Sequence, residues 1–304
     1  MRKILVFSIL FVWGTASNAQ LSMQSRDDGI LITESGENVL FFQSETKSID
    51  GQYERCNYIH PLWSVDGTVL TEDFPSDHLH HRGIFWAWHQ VWIGDKRIGD
   101  PWEIKDFEQN VTELEFMSLK DGTAKFNTKV EWLSDKWKKS GKKVPYLKEN
   151  TTIQIHQQAA NYRRIDFEIE LLALTDNLSI GGSEDVKGYG GFSVRMKLPD
   201  DVSFSGPAGM VFPENTAVQS NGFINISGSL LEDNTKGGIV IVDHPENPGY
   251  PQSWILRERN SMQNAVYPGN IAIPVSKTEP LVLRYSLLIY SGKMSSKRVR
   301  KILK

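Results

Sequence analysis

Residues 162–171 read Tyr-Arg-Arg-Ile-Asp-Phe-Glu-Ile-Glu-Leu, and this stretch decides the fold class. Ile165, Phe167, Ile169 and Leu171 share one face of an extended chain, and Arg164, Asp166, Glu168 and Glu170 share the other. Side chains alternate across a strand, so the pattern is that of an antiparallel strand with one face in a core and one in water. The same period recurs in residues 125–132 (KFNTKVEW), 151–157 (TTIQIHQ) and 192–198 (FSVRMKL). In the last of these, Phe192, Val194, Met196 and Leu198 are expected inward, with Arg195 and Lys197 opposite. Residues 237–243 (GGIVIVD) and 281–290 (LVLRYSLLIY) are apolar at nearly every position and predict strands covered on both sides.

Turn signals separate these runs: Asp66-Gly67, Asp121-Gly122, Ser140-Gly141, Asn221-Gly222 and Pro248-Gly249. The lysine-rich residues 136–148 fall between two strands and predict a solvated hairpin tip. Sustained helical periodicity is absent, and only Ser295–Lys304 predicts a short helix. No repeat, linker or composition break divides the chain. The fold class is therefore all-β, a large antiparallel β-sandwich formed by residues 20–304 as a single domain.

Residues 1–19 read as a signal peptide rather than as part of that domain. Arg2 and Lys3 precede an apolar run, Ile4–Val12, and Ser17-Asn18-Ala19 is a small-residue cleavage pattern. The run is shorter than the ~20 residues of a membrane-spanning helix. The expected product is periplasmic or secreted. Cleavage removes two positive charges and moves the formal net charge from −3 to −5. A chain without a basic stripe is not a nucleic-acid partner. The single cysteine, Cys56, excludes an internal disulfide and reads as a small buried hydrophobe.

The chemistry concentrates in residues 58–102, which hold five of the seven histidines and five of the nine tryptophans. Imidazole offers proton transfer or metal ligation near neutral pH, and indole offers a flat apolar face with one donor. In Asp77-His78-Leu79-His80-His81-Arg82-Gly83, an extended chain would put His78 and His80 on one face and His81 on the other. These histidines suit hydroxyl binding and general acid–base work. His78 and His80 also have a spacing suited to a divalent metal. Further along, Trp86, Trp88, Gln90 and Trp92 share a face, making Trp86 and Trp88 candidates to stack on a sugar ring; His89, opposite, ranks below the other histidines. The glycine-rich residues 181–191 contribute Glu184 as the candidate catalytic carboxylate and Lys187 as a hydroxyl or anion contact. Asp73 and Asp77 are candidates for a second carboxylate. His60 and His244 are expected to enter the same site from neighbouring loops. Nucleophile-elbow, zinc-protease and Cys-x-x-Cys motifs are absent.

Three of these segments, Tyr58-Ile59-His60-Pro61-Leu62-Trp63, Leu70-Thr71-Glu72-Asp73-Phe74-Pro75 and Asp77–Gly83, resemble the PmoA-like family of exported bacterial proteins. So do Gly190–Arg195, Asp243–Pro248 and Leu283-Arg284-Tyr285, so the resemblance spans nearly all of residues 20–304 and puts Arg195 among the candidate ligand contacts. Leu79 stands where a proline is usual, and residues 184–187 are an unfamiliar version of their loop. The resemblance implies a sandwich similar to galactose-mutarotase-like folds and a setting in carbohydrate degradation. It does not imply methane oxidation, because a methane oxygenase subunit of that label is embedded in the membrane. The function expected is that of a carbohydrate-active enzyme, a hydrolase or relative acting on a glycoside or modified sugar. A metal-dependent enzyme and a non-catalytic sugar-binding protein are the alternatives.

Overall fold

The computed structural model describes residues 20–119, 121–259 and 262–303. The expected signal peptide, residues 1–19, lies outside them. Two nine-stranded sheets form the body, and every pair of neighbouring strands in them is antiparallel. The first runs, in spatial order, Leu21–Arg26, Gly29–Glu34, Glu37–Gln43, Tyr58–Leu62, Ile84–Trp88, Gly190–Val194, Gln263–Val266, Ser253–Ile255 and Val218–Gln219. The second runs Glu108–Ser118, Ala124–Leu133, Leu147–Ile155, Tyr162–Ala173, Leu281–Ser291, Gly237–Asp243, Phe223–Gly228, Ser203–Gly206 and Gly209–Met210. A four-stranded sheet, built on Leu178–Gly181 and Gln90–Ile93, flanks them. The chain is an all-β sandwich.

Its core is the space between the two large sheets. Phe192 of the first sheet lies at its centre, stacked on Tyr285 of the second at 4.5 Å and edge-on to Phe167 at 5.1 Å. Trp86 lies parallel to Phe192 on its own sheet, and Phe42 meets Phe126 across the gap at 5.2 Å. The alternation in Tyr162–Ala173 and Leu147–Ile155 is the trace of this arrangement: alternate residues are buried, the others half-exposed.

The strands without alternation are covered twice. In Gly237–Asp243, Ile239 and Ile241 enter the main core, while Val240 and Val242 pack outward with Phe223, Leu288 and Val299. Val299 belongs to the expected C-terminal helix, Ser296–Ile302, which is capped by the Ser295 hydroxyl accepting from the Arg298 amide at 3.2 Å. In Ile84–Trp88, likewise, Ile84, Trp86 and Trp88 face the main core. Phe85 and Ala87 face a smaller cluster with Tyr58, Trp102 and Met262 on the sheet's outer side.

Two expectations for these strands need correction. The run through residues 84–92 is not one strand: it breaks at His89, and Gln90–Ile93 joins the flanking sheet. The strand predicted over 192–198 ends at Val194, and Arg195 is buried rather than on a polar face. The lysine-rich segment does form the expected hairpin, pairing Lys138–Lys139 with Lys142–Lys143.

A carboxyl lies inside the sandwich. Glu149 is fully buried, and burial pushes its pKa up. Its oxygens accept from Asn57 Nδ2 at 2.8 Å, Thr151 Oγ1 at 2.7 Å and Trp132 Nε1 at 2.9 Å. These bonds satisfy a group that would otherwise be very costly in an apolar layer.

The central position of Phe192 makes a direct test of the core. Phe192→Ala should lower unfolding free energy by about 3–5 kcal/mol, read as a shifted urea midpoint at constant slope. A loss below ~1 kcal/mol would show that the two sheets do not depend on this contact.

Candidate functional site

The histidine segment sits on the outer side of the first sheet, where His81 stands edge-on to Trp102. It is not extended. Residues 75–81 make two successive turns, with the His78 amide donating to the Pro75 carbonyl and the His81 amide to the His78 carbonyl. Turning the chain twice cancels the alternation expected of a strand, so all three rings come together. His78 stacks on His81 with centroids 4.6 Å apart, and His80 stands edge-on to His81 at 4.5 Å and to His78 at 5.7 Å.

Gly83 closes the segment onto the sheet. Its φ is +36°, and a Cβ there would come 2.0 Å from the Ile59 carbonyl oxygen. That close approach lets its amide donate to the Glu72 carbonyl at 2.8 Å while its carbonyl accepts from the Arg195 amide at 2.7 Å. Glu72 and the histidine segment are thereby brought side by side with Arg195, which is distant in sequence.

Their side chains form one chain of ion pairs. Buried Arg195 donates to Glu72 at 2.7 Å and, through both terminal nitrogens, to Asp77 at 3.0 and 2.7 Å. Asp77 in turn accepts from His78 Nδ1 at 2.7 Å. Partial burial alone would raise the Asp77 carboxyl, but bonds from Arg195 and His78 hold it down at about 2. A carboxylate only accepts, so the proton of neutral His78 is on Nδ1, leaving the Nε2 lone pair on a side chain that is 42% exposed.

His80 and His81 are kept neutral. Burial brings His80 down to about 4, against the opposing pull of Glu103 at 3.7 Å. Burial, with the neighbouring imidazoles and Arg195, brings His81 down to about 2. Arg195 Nη1 donates to His81 Nδ1 at 3.3 Å, which puts the His81 proton on Nε2. The site therefore combines a carboxylate-oriented imidazole with two neutral ones, a set suited to moving a proton and binding hydroxyls.

The remaining candidates fall in several places. Arg82 is fully buried, paired with Asp73 at 3.1 Å, bonded to the Tyr53 and Lys47 carbonyls and lying over Phe74; it anchors the segment rather than facing a ligand. His60 borders Gly83, bonds Thr71 at 2.9 Å and is brought by burial to about 4, with Asp73 and Lys47 as its charged neighbours. Trp86 and Trp88 offer no face to a sugar: both are core residues, and the Trp88 indole donates to the Tyr267 carbonyl at 2.8 Å. Glu184 is exposed and pairs with Arg97 at 2.8 Å, and Lys187 lies 3.7 Å from Asp185 in the same surface loop. His244 belongs to the end of the second sheet, where it lines cavities of about 290 and 340 Å³ with Arg164 and Ser286. It does not join the other histidines. No group of three or more histidine, cysteine or carboxylate side chains is placed to hold a metal ion among the described residues, so His78 and His80 are a two-ligand start at most.

Sequence reasoning passed over the turn Asp100–Glu103. Trp102 is buried against His81, Phe85, His89 and Tyr189, with His89 stacked on it at 5.3 Å. Asp100 accepts from both His89 and Arg97, and its other oxygen caps the turn at the Glu103 amide. Glu103, not Glu184, is the carboxylate beside His80. The Asp-Pro-Trp-Glu run, a turn signal carrying an indole and two acids inside the histidine-rich block, was the available clue.

These shifts set a pH dependence. In the unfolded chain His60, His80 and His81 take up protons as pH falls past about 6.5, but in the fold they do so only at about 4 or below. Stability is therefore complete above pH 7 and falls as pH drops from about 6.5 toward 4. Asp77, with its folded pKa depressed, adds a further loss below about 4. Urea midpoints measured between pH 7.5 and 4.5 should decline accordingly, and His80→Asn should flatten the decline. A flat wild-type profile would contradict buried neutral imidazoles.

Among the described residues no helix is long and apolar enough to cross a membrane. No curated protein matches the chain. A family model described as a family of unknown function, DUF6807, matches residues 30–304. That span takes in the second large sheet, all but the edge of the first, the histidine segment and the Arg195 clamp, so the chain belongs to the DUF6807 family.

Proposed function

We propose that the chain is an exported carbohydrate-active enzyme, a hydrolase or relative acting on a glycoside or modified sugar, with His78 as its proton-transfer group. One observation carries this: the Asp77–His78 pair at 2.7 Å, with Asp77 clamped by Arg195. An imidazole whose Nδ1 is fixed by a carboxylate presents its Nε2 as a general base and returns the proton as a general acid. Asp77, held at about 2, stays ionised at neutral pH and cannot itself be the acid. Neutral His80 and His81 can hydrogen-bond to hydroxyls without attracting a competing anion. Glu103, 3.7 Å from His80, takes the carboxylate role first expected of Glu184. The sugar substrate and the export rest on the resemblance to the PmoA-like family and on the pattern of residues 1–19.

The binding-only alternative relied on Trp86 and Trp88, which are core residues. The metal alternative has the Asp77–His78 pair in its favour, because metal-ligating histidines are oriented in the same way. It requires a third ligand that the described residues do not bring near.

A panel of glycosides and modified sugars, assayed by product release with and without a chelator, tests the proposal. On any substrate turned over, His78→Ala should reduce kcat by about 10²–10⁴ with KM nearly unchanged, and Asp77→Asn should fall in the same direction. Full turnover in His78→Ala would remove His78 from the chemistry, and activity abolished by chelation would transfer the reading to the metal alternative.

A further inference from the structure

Four arginines are buried among the described residues: Arg55, Arg82, Arg163 and Arg195. Three are matched by carboxylates, Arg82 by Asp73, Arg163 by Glu34, and Arg195 by Glu72 and Asp77. Arg55 is only 2% exposed and has no such partner among the described residues. A guanidinium carries five N–H donors, yet among the described residues the Arg55 side chain makes one hydrogen bond, from Nη2 to the Pro101 carbonyl, and its Nε has no partner. Its nearest compensation is the face of Phe85, 4.7 Å from the guanidinium carbon, and of Phe107 at 5.8 Å. Ring faces offset only part of the cost of removing a cation from water.

The position of this cation matters. Pro101 lies in the same turn as Trp102, which stands edge-on to His81, and Glu103, which faces His80. Phe85, under the guanidinium, also packs on Trp102 at 5.6 Å. Arg55 thus adjoins the turn that carries Trp102 and Glu103 to the histidines, and its charge acts on His80. Asp100, the carboxylate whose charge acts on Arg55, is already bonded to His89 and Arg97. Glu103 is drawn toward Lys105 at 3.5 Å.

We propose that Arg55 is an anion-recognition residue of the histidine site, and that the ligand bears a carboxylate beside its sugar hydroxyls, as a uronic acid does. The inference rests on the carbohydrate reading of the site and narrows it. A carboxylate matches the planar fork of a guanidinium with two parallel bonds. The neutral imidazoles of His80 and His81 then serve the hydroxyls. An unmatched cation here makes a neutral sugar the poorer ligand, because it would leave those donors as empty as they are now.

The test is calorimetric titration and thermal shift of the full chain with sodium glucuronate and galacturonate, against glucose, galactose and sodium phosphate at equal ionic strength. The uronates should bind and raise the melting temperature, with glucose, galactose and phosphate weaker. Arg55→Met should weaken uronate binding roughly 10- to 100-fold and leave neutral-sugar binding unchanged. Arg55→Lys keeps the charge without the fork and should be intermediate; it decides the matter if the Met variant does not fold. Uronate binding undiminished in both variants would overturn the proposal and leave Arg55 a packing residue. Phosphate stabilising as strongly as the uronates would also overturn it, in favour of a small inorganic anion. Neutral sugars binding while uronates do not would overturn it and leave the carbohydrate reading intact. No binding by either class would overturn both.

Discussion

Everything in this molecule hangs on the apolar contact between two nine-stranded sheets. No disulfide reinforces it, since Cys56 is the only cysteine, so the sheets are held together chiefly by burial of Trp86, Phe192, Phe167 and Tyr285 and their surroundings, with the buried Glu34–Arg163 ion pair joining the two sheets at one place. The functional surface depends on that contact indirectly. Strands Ile84–Trp88 and Gly190–Val194 supply inward residues to the core, and the first of them, from alternate positions, supplies the outer platform of Phe85 and Ala87, against which Trp102 packs beside His81. A change in register by one residue would exchange the two sets of side chains and lose both.

The site is organised by two opposite electrostatic devices set a few residues apart. Asp77 is kept charged by pairing, and His80 and His81 are kept uncharged by burial. Neither device works alone. Without the bonds from Arg195 and His78 the Asp77 carboxyl would lose what holds its pKa down, and exposed imidazoles would charge in mild acid. The combination leaves His78 as the one imidazole of the three with both an orienting carboxylate and access to water.

The sandwich was legible because strands with one wet face write their burial into the sequence. Tyr162–Ala173 and Leu147–Ile155 alternate in the structure as their residues do. The site was legible as a neighbourhood and not as a geometry. Strands covered on both faces carry no alternation, so nothing in residues 84–92 announced the break at His89, and for Trp86 and Trp88 the residues left both core packing and ring stacking open. Parity arguments assume an extended chain, and two turns in residues 75–81 cancelled the separation expected of His81. Arg195 meets Asp77 from 118 residues away, a pairing that follows from strand order and leaves no local trace. Glu184 and His244 had plausible loops, but the sheets carry those loops to the surface and to the second sheet respectively.

The solitary cysteine has a practical consequence. Cys56 is buried, its thiol donates to the Gln109 carbonyl at 3.2 Å, and burial pushes its pKa up to about 12. Thiolate, the species that alkylating reagents and oxidants attack, is then nearly absent at working pH. The protein is in effect cysteine-free toward labelling chemistry without any substitution. A thiol introduced at the rim of the histidine site would be the only reactive one, and a spectroscopic probe attached there would report on ligand arrival without background.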